Sequence, residues 1–107
     1  MNLKFYKKLY LDENIVNEDE IIEQIRDNIN IFGLYLICVP KNSNASHNHT
    51  FEIFSLKEAF KDRYKDKEYI VVGMAYSKKQ AFIVVKNIFE DNIKDINHIK
   101  QKFIKNK

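Results

Sequence analysis

The sequence predicts an α+β fold: a two-layer α/β sandwich in which helices cover one face of a three- to four-stranded, mostly antiparallel sheet. Short apolar runs of strand length alternate along the 107-residue chain with longer segments in which apolar residues recur at helical spacing. Three of the longer segments begin with a capping box, in which a Ser or Asn is followed three residues later by Glu or Gln. The predicted order is β-α-β-β-(short α)-β-α-α.

The first two predicted elements are an edge strand and an acidic helix. Residues 8–11 predict a strand whose lysine suits the edge of a sheet. Asn17 opens a capping box, and isoleucines then recur at helical spacing, which predicts a helix over 17–29. Val16 and Ile21 are expected to pack together across the start of this helix as a hydrophobic staple.

The middle of the chain predicts three strands and a short helix. The apolar runs 33–39 and 69–75 have strand length, and the second is the stronger of the two. Residues 51–55 alternate in polarity, which predicts a strand with one wetter face. A capping box at Ser55 opens a short helix over 56–65.

Two element orders stay open because the segment 56–65 reads either as a helix or as a loop. With the helix, the order up to residue 75 is that of a ferredoxin-like βαββαβ unit. With a loop, residues 17–94 have the order α-β-β-β-α, which double-stranded RNA-binding domains share. The polar segment 41–50 is expected to form a hairpin loop.

The last part of the chain predicts two helices. Ser77 opens a capping box for a long helix over 78–93. Apolar residues at helical spacing predict a short amphipathic helix over 96–104. We expect residues 1–107 to form a single domain, with 94–107 as a basic tail helix that frays at its end.

Charge is distributed unevenly along the chain. Residues 12–30 carry seven acids against Arg26, a net charge of −6, and residues 94–107 carry five Lys against Asp95, a net charge of +4. A protein whose main partner is nucleic acid usually gathers basic charge on one face. The acidic block between basic termini therefore disfavours nucleic acid as the main partner.

The sequence also predicts the compartment. No apolar run approaches the length of a membrane-spanning helix, and the first residues lack the pattern of a secretory signal. Cys38 has no second cysteine to pair with, and an unpaired thiol within an apolar run is typical of a reducing cytosol. We therefore expect a cytoplasmic protein without a membrane partner.

Four segments stand in a recognisable order along the chain: Phe5-Tyr6 with Leu9-Tyr10, Leu34-Tyr35-Leu36-Ile37, Phe51-Glu52-Ile53, and Tyr69-Ile-Val-Val-Gly-Met-Ala75 leading into Ala81, Val84, Val85 and Ile88. Together they resemble an uncharacterised family of small clostridial (Firmicutes) α/β proteins with no assigned function. The likeness covers nearly the whole chain and implies an α/β fold and a bacterial origin. The acidic first helix departs from the basic helix common in that family.

Residue patterns that carry catalysis or cofactors are missing from the sequence. Gly33 and Gly73 lie forty residues apart, so they cannot form a glycine-rich phosphate loop, and Gly73 is expected to allow a bulge or a close backbone contact. Cys38 is expected to be buried and inert, and Ser77 is explained as a helix cap. We expect no enzymatic activity and no cofactor.

Two histidines raise the question of a metal site. His47 and His49 would project to the same side of an extended segment and could share an ion. Structural zinc generally needs four protein ligands, and this segment offers two without an adjacent Cys or acid. We interpret them, and His98 on the predicted tail helix, as surface residues rather than metal ligands.

The most economical interpretation is a small non-catalytic cytosolic binding or regulatory module that acts through protein–protein contact or self-association as a homo-oligomer. Two surfaces are candidates for the partner, the tail helix and the acidic helix: Ile96, Ile99 and Phe103, and Glu18, Asp19 and Glu23. The alternative is an accessory protein that binds RNA or single-stranded DNA, because aromatic residues alternate with cations at 5–10 and 60–65.

Overall fold

The computed structural model describes residues 1–41, 51–94 and 99–105. The predicted order and the α+β sandwich class are confirmed. The polar segment predicted as a hairpin loop lies outside the described residues except for Lys41. The elements are β1 (Asn2–Leu11), α1 (Glu18–Arg26), β2 (Tyr35–Pro40), β3 (Glu52–Ser55), α2 (Leu56–Ala59), a 3-10 turn (Asp62–Tyr64), β4 (Glu68–Ala75), α3 (Lys78–Asp91) and α4 (Ile99–Lys105).

The four strands form one sheet in the order β1-β4-β2-β3. β2 runs antiparallel to both β3 and β4, and β1 runs parallel to β4, so the sheet is mostly antiparallel as predicted. The strand order differs from the ferredoxin-like arrangement, in which the first strand lies inside the sheet. Here β1 is an edge strand. β4, which comes after the other three strands along the chain, lies between β1 and β2.

Helices cover both faces of the sheet, which corrects the prediction of a single covered face. In β2, Leu36 and Cys38 point into a cluster that includes residues of α1 and α2. The alternate residues Ile37 and Val39 point into a second cluster that includes residues of α3 and α4. β4 is a central strand covered on both faces, so nearly every one of its residues is buried. A strand buried in this way is apolar throughout.

Helix α1 is shorter than the predicted 17–29 because a Schellman motif ends it. Asn28 adopts a left-handed conformation with φ of 61°. Its N–H donates to the Ile25 carbonyl at 3.0 Å, and the N–H of Ile29 donates to the Gln24 carbonyl at 2.9 Å. Asn tolerates this conformation better than other residues with a side chain, so it stands where Gly is more usual.

The start of α1 also differs from the prediction. The side chain of Asn17 makes no cap hydrogen bond to the helix backbone, and its amide lies 3.4 Å from the Glu20 carboxylate instead. Val16 is 91% exposed, so the predicted staple with Ile21 does not form, and Ile15 is buried in its place.

Two of the predicted helix starts are confirmed, each with its serine as N-cap. The Ser77 hydroxyl accepts the N–H of Gln80 at 3.0 Å, and the Ser55 hydroxyl accepts the N–H of Glu58 at 3.2 Å. The predicted short helix over 56–65 is present as α2 followed by the 3-10 turn, so this segment is not a plain loop.

Gly73 is where three elements approach most closely. A Cβ atom added there would lie 2.8 Å from the Tyr10 carbonyl oxygen of β1 and 3.0 Å from Cγ1 of Val84 in α3. Both pairings of β4 shift register beside it, between Phe5 and Tyr10 in β1 and between Ile37 and Cys38 in β2. The predicted bulge and the predicted close contact with the long helix are both confirmed.

Candidate functional site

The tail helix α4 belongs to the core. Ile99 is 2% exposed and Phe103 is fully buried, where its ring meets Tyr6 edge-on at a centroid distance of 4.8 Å and Phe51 at 6.1 Å. This corrects the expectation that Ile99 and Phe103 form a partner surface, because their apolar area is already covered within the chain. Ile96 lies outside the described residues.

A polar contact fastens α4 to the end of α3. The Asn92 amide donates to the Ile88 carbonyl at 2.7 Å, and its oxygen accepts Nζ of Lys102 at 2.7 Å. Burial, reinforced by the Asp91 carboxylate, raises the pKa of Tyr10. The described part of the tail is therefore held by packing and by hydrogen bonds.

The acidic helix α1 keeps its acids at the surface. Asp19 and Glu23 are exposed, and Glu18 is partly buried. Glu18 and Asp19 stand in the first turn, where negative charge is stabilised by the helix dipole. This local role accounts for their position on the helix, and no ligand is needed to explain it.

Two exposed apolar side chains, those of Val16 and Phe32, lie at or directly after the turns at the end of the sheet where β1 and β4 finish. We call this pair of side chains the apical patch. Phe32 is 96% exposed at the tip of a turn closed by a hydrogen bond from the Leu34 N–H to the Ile31 carbonyl. Gly33 has φ of 81°, which a type II turn requires at this position, so the turn holds Phe32 outward.

Tyr76 brings the two halves of the apical patch to the same end of the sheet. The backbone N–H of Tyr76 donates to Oδ2 of Asp12 at 3.0 Å, and Asp12 begins the turn that leads to Val16. On the other side, the Cβ position of Gly33 lies 3.8 Å from the Tyr76 carbonyl oxygen. Both turns therefore lie beside Tyr76; Phe32 stands within the second turn, and Val16 directly follows the first.

A groove of about 310 Å³ lies at the opposite end of the sheet, where β1 and β4 begin and α1 ends. We call it the basal groove. Its charged lining is Lys4, Arg26, Lys41 and Glu68, and its rings are Phe5, Phe60 and Tyr69. The size falls at the lower end of the roughly 300–1,000 Å³ typical of small-molecule pockets.

The thiol of Cys38 is fully buried between the sheet and α1. Burial raises the pKa of the thiol far above its ordinary value, with a smaller contribution from the charge of Glu52. A protonated, enclosed thiol is a poor nucleophile, so the position of Cys38 agrees with the predicted inert role.

The predicted histidines cannot be placed, because His47, His49 and His98 lie outside the described residues. Within residues 1–41, 51–94 and 99–105, no three His, Cys, Asp or Glu side chains come together as a metal site would require. Over those same ranges, no helix has the length and hydropathy needed to cross a membrane.

No protein-family model, curated protein or solved structure matches the chain.

Sequence reasoning missed both the apical patch and the basal groove. The dipeptide Phe32-Gly33 carried a usable signal, because a glycine after an apolar residue between two elements is typical of a type II turn. The lining of the groove carried none, since its residues come from β1, α1, β4, Lys41 after β2 and the segment around Phe60, and share no spacing along the chain.

Proposed function

We propose that this chain is a non-catalytic binding module that acts through protein contact, and that it self-associates through the apical patch. The observation that carries the proposal is the exposure of Val16 and Phe32, each above nine tenths, in two segments that both approach Tyr76 through Asp12 and Gly33. Covering a large apolar side chain is worth roughly 1.5–3 kcal/mol, which neither residue gains within its own chain. Aromatic anchors of this kind dominate many protein interfaces.

The charges around the apical patch favour a second copy of this chain as the partner. Glu13 is exposed beside Asp12, and Lys78 is exposed two residues after Tyr76, so one acid and one base follow the two residues whose hydrogen bond joins this end of the sheet. An interface with twofold symmetry places the same surface on both copies, and it therefore needs a surface that complements itself. Across such an interface the acid of each copy would face the base of the other.

We expect a weak dimer rather than a permanent one. A stable interface usually covers about 800 Å² per partner, and the apical patch has two anchoring side chains rather than a broad apolar face. Reversible self-association in the cytoplasm suits a binding or regulatory module. A reducing compartment also suits the single buried thiol.

Sedimentation velocity from micromolar to near-millimolar protein tests the proposal. We expect the mean mass of the wild-type chain to rise with concentration, and the double variant Val16→Ser with Phe32→Ser to stay monomeric. Phe82→Ser is the matched control, because Phe82 is an exposed apolar side chain on α3. A wild-type chain that stays monomeric throughout, or dimers unchanged by the double variant, would contradict the proposal.

A second candidate function is binding of single-stranded nucleic acid. Arg63 and Lys67 lie 5.2 and 5.9 Å from the ring centroid of Tyr64, so this surface combines cations with an aromatic ring, the two features that bind single strands. Glu58 weakens this candidate, because its carboxylate pairs with Arg63 and lies 2.8 Å from Nζ of Lys61.

Fluorescence anisotropy with labelled RNA and DNA at two salt concentrations tests this second candidate. Binding should weaken as salt rises, and Tyr64→Ala should reduce it. Binding of equal strength at both salt concentrations would speak against contacts with phosphates.

A further inference from the structure

Strand β1 forms one edge of the sheet along ten residues, Asn2–Leu11, and it pairs on one side only, with β4. The strand at the other edge, β3, has four residues and carries Glu52. Very short edge strands are poor templates for further pairing, whereas a long edge offers a row of backbone donors and acceptors. β1 is therefore the edge at which the described sheet can accept another strand.

The backbone groups of Leu3 and Phe5 point away from the sheet. The N–H of Asn2 donates to the Lys67 carbonyl at 2.8 Å, so Asn2 directs its backbone groups toward β4. Successive residues of a strand direct theirs to opposite sides, and the pairing stays in register from Asn2 to Phe5. In the part of the chain that the structure describes, no hydrogen bond from another segment reaches Leu3 or Phe5. Their N–H and carbonyl groups are thus available to a neighbouring strand.

The side chains of the same stretch alternate between apolar and charged. Leu3 and Phe5 are partly buried and pack into the cluster on the α1 face of the sheet. Lys4 lies between them on the opposite face, in register with Ile70 of the α3 cluster, and it is exposed. Residues of a pairing strand lie beside these side chains, so the pairing gains from apolar residues on the α1 face and from an acid on the other.

Charge favours an acidic partner over a second copy of this chain. β1 carries Lys4, Lys7 and Lys8 and no acid. All three lysines are exposed, and none of them forms an ion pair with a residue in the described ranges. Two β1 strands side by side would bring two sets of these lysines together, and like charges on paired strands are destabilising. An acidic strand turns the same lysines into attractive partners.

We propose that the edge of β1 binds an extended acidic segment of another protein, in which acidic and apolar residues alternate, and adds it to the sheet as a further strand. The backbones of Leu3 and Phe5 supply the hydrogen bonds, and Lys4 faces the acids. Lys7 and Lys8 lie where β1 leaves its register with β4, and they add to the attraction. This surface shares no residue with the apical patch, so it is independent of self-association.

Hydrogen exchange of the full chain, measured by NMR with a synthetic peptide present, tests the proposal. The probe is a short peptide with blocked ends in which Glu and Val alternate, and the control peptide has Lys in place of each Glu. We expect the Glu peptide to slow exchange at the amides of Leu3 and Phe5, because each gains an acceptor, and to leave Lys4, whose N–H faces β4, unchanged. The Lys peptide should protect none of the three, and added salt should weaken binding of the Glu peptide.

Two N-methylated forms of the Glu peptide test the backbone hydrogen bonds. One carries methyl groups on the valine nitrogens and the other on the glutamate nitrogens, so each lacks the N–H donors on one side of the strand. Only one side can pair with β1. We therefore expect one form to bind at least about tenfold more weakly than the parent peptide and the other to bind like the parent.

A pair of variants separates the edge from general attraction to a basic protein. Lys4→Gln should weaken binding of the Glu peptide roughly twofold to fivefold, as expected for the loss of one pair of opposite charges between strands. Lys79→Gln removes the same charge from an exposed position on α3 and should leave the affinity unchanged. Thermal unfolding of both variants shows whether each is folded.

Any of three results would overturn the proposal. The first is exchange at the Leu3 and Phe5 amides that the Glu peptide does not slow. The second is equal binding of the two N-methylated peptides. The third is equal affinity of the Lys4→Gln and Lys79→Gln variants for the Glu peptide, which would show attraction to overall charge alone.

Discussion

Oδ2 of Asp12 accepts the backbone N–H of Tyr76 at 3.0 Å, and this bond joins two parts of the chain that are 64 positions apart. Oδ1 of the same carboxylate accepts the N–H of Asn14 at 3.1 Å. Asp12 is 3% exposed, so its carboxylate is satisfied chiefly by these backbone donors rather than by water. One buried carboxylate thus fixes the ends of both β1 and β4.

Replacing this carboxylate should destabilise the fold. We expect Asp12→Ala to lower the free energy of unfolding by about 2–3 kcal/mol, because it leaves backbone donors unsatisfied near the protein interior. Urea denaturation followed by circular dichroism measures the change. Glu13→Ala is the matched control, since Glu13 is exposed, and it should change stability by less than about 0.5 kcal/mol. Equal effects of the two variants would contradict this role of Asp12.

The tail helix should behave as part of the core. Phe103→Ala removes a fully buried ring that packs against Tyr6 and Phe51, so we expect a loss of about 3–5 kcal/mol. Phe82→Ala serves as the control because Phe82 is more than half exposed, and its loss should be clearly smaller. Thermal and urea unfolding compare the two. A tail that contributes nothing to stability would make both losses small.

Gly73 and Gly33 should respond differently to the same substitution. Gly73→Ala places a methyl group 2.8 Å from the Tyr10 carbonyl oxygen, and we expect a loss of about 2–3 kcal/mol from the enforced shift. At Gly33 an added Cβ would meet only the Tyr76 carbonyl oxygen, at an ordinary contact distance of 3.8 Å, so Gly33→Ala should lose only the roughly 1–2 kcal/mol of a left-handed backbone conformation.

Asparagine distinguishes the two causes. Gly33→Asn should recover part of the loss seen with alanine, because Asn adopts a positive φ more readily. Gly73→Asn should do no better than Gly73→Ala, because the obstacle there is the Tyr10 backbone. Urea denaturation of the four variants measures these losses of stability. A smaller loss in Gly73→Asn than in Gly73→Ala would contradict the steric explanation.

Stability should fall on the alkaline side. Cys38 and Tyr69 are neutral when protonated, and the pKa of each is higher in the folded chain than its ordinary value, 9.0 for the thiol and 10.0 for the phenol. Above those values the unfolded chain loses these protons while the folded chain retains them. The stabilisation is therefore complete below the unfolded pKa and is lost as pH rises toward the folded pKa.

Two variants assign this slope to its residues. Cys38→Ala should reduce the fall in stability that begins near pH 9.0, and Tyr69→Phe should reduce the fall between pH 10.0 and about 12. Free energies of unfolding measured from about pH 8 upward give both slopes. A slope that neither variant changes would assign the alkaline loss to other groups.

Signals that act over a few residues were predictable from the sequence. Ser77 and Ser55 cap their helices as expected, because each cap joins groups three positions apart and the rest of the fold does not compete with it. The end of α1 was less predictable. Asn28 is acceptable both inside a helix and at its left-handed end, and the isoleucine spacing continued past it to Ile29.

Features that depend on segments distant along the chain could not be predicted from the sequence. The apolar run of β4 was recognised as a strand, but an uninterrupted run also indicates burial on both faces, and that implication was missed. Apolar spacing alone cannot say whether Phe103 faces a partner or its own core. Phe5 and Arg26 become neighbours only once β1 and α1 are packed, so no local pattern predicts the basal groove.

The pairing of β1 with β4 constrains how the sheet assembles during synthesis. β1 leaves the ribosome first, yet its parallel neighbour is the last strand of the sheet to be made, and that strand also separates β1 from β2. A nascent chain that ends before Glu68 therefore lacks the centre of its own sheet. Cotranslational folding can produce the β2–β3 hairpin early, but the complete sheet must wait until β4 emerges, a topology that favours slow folding.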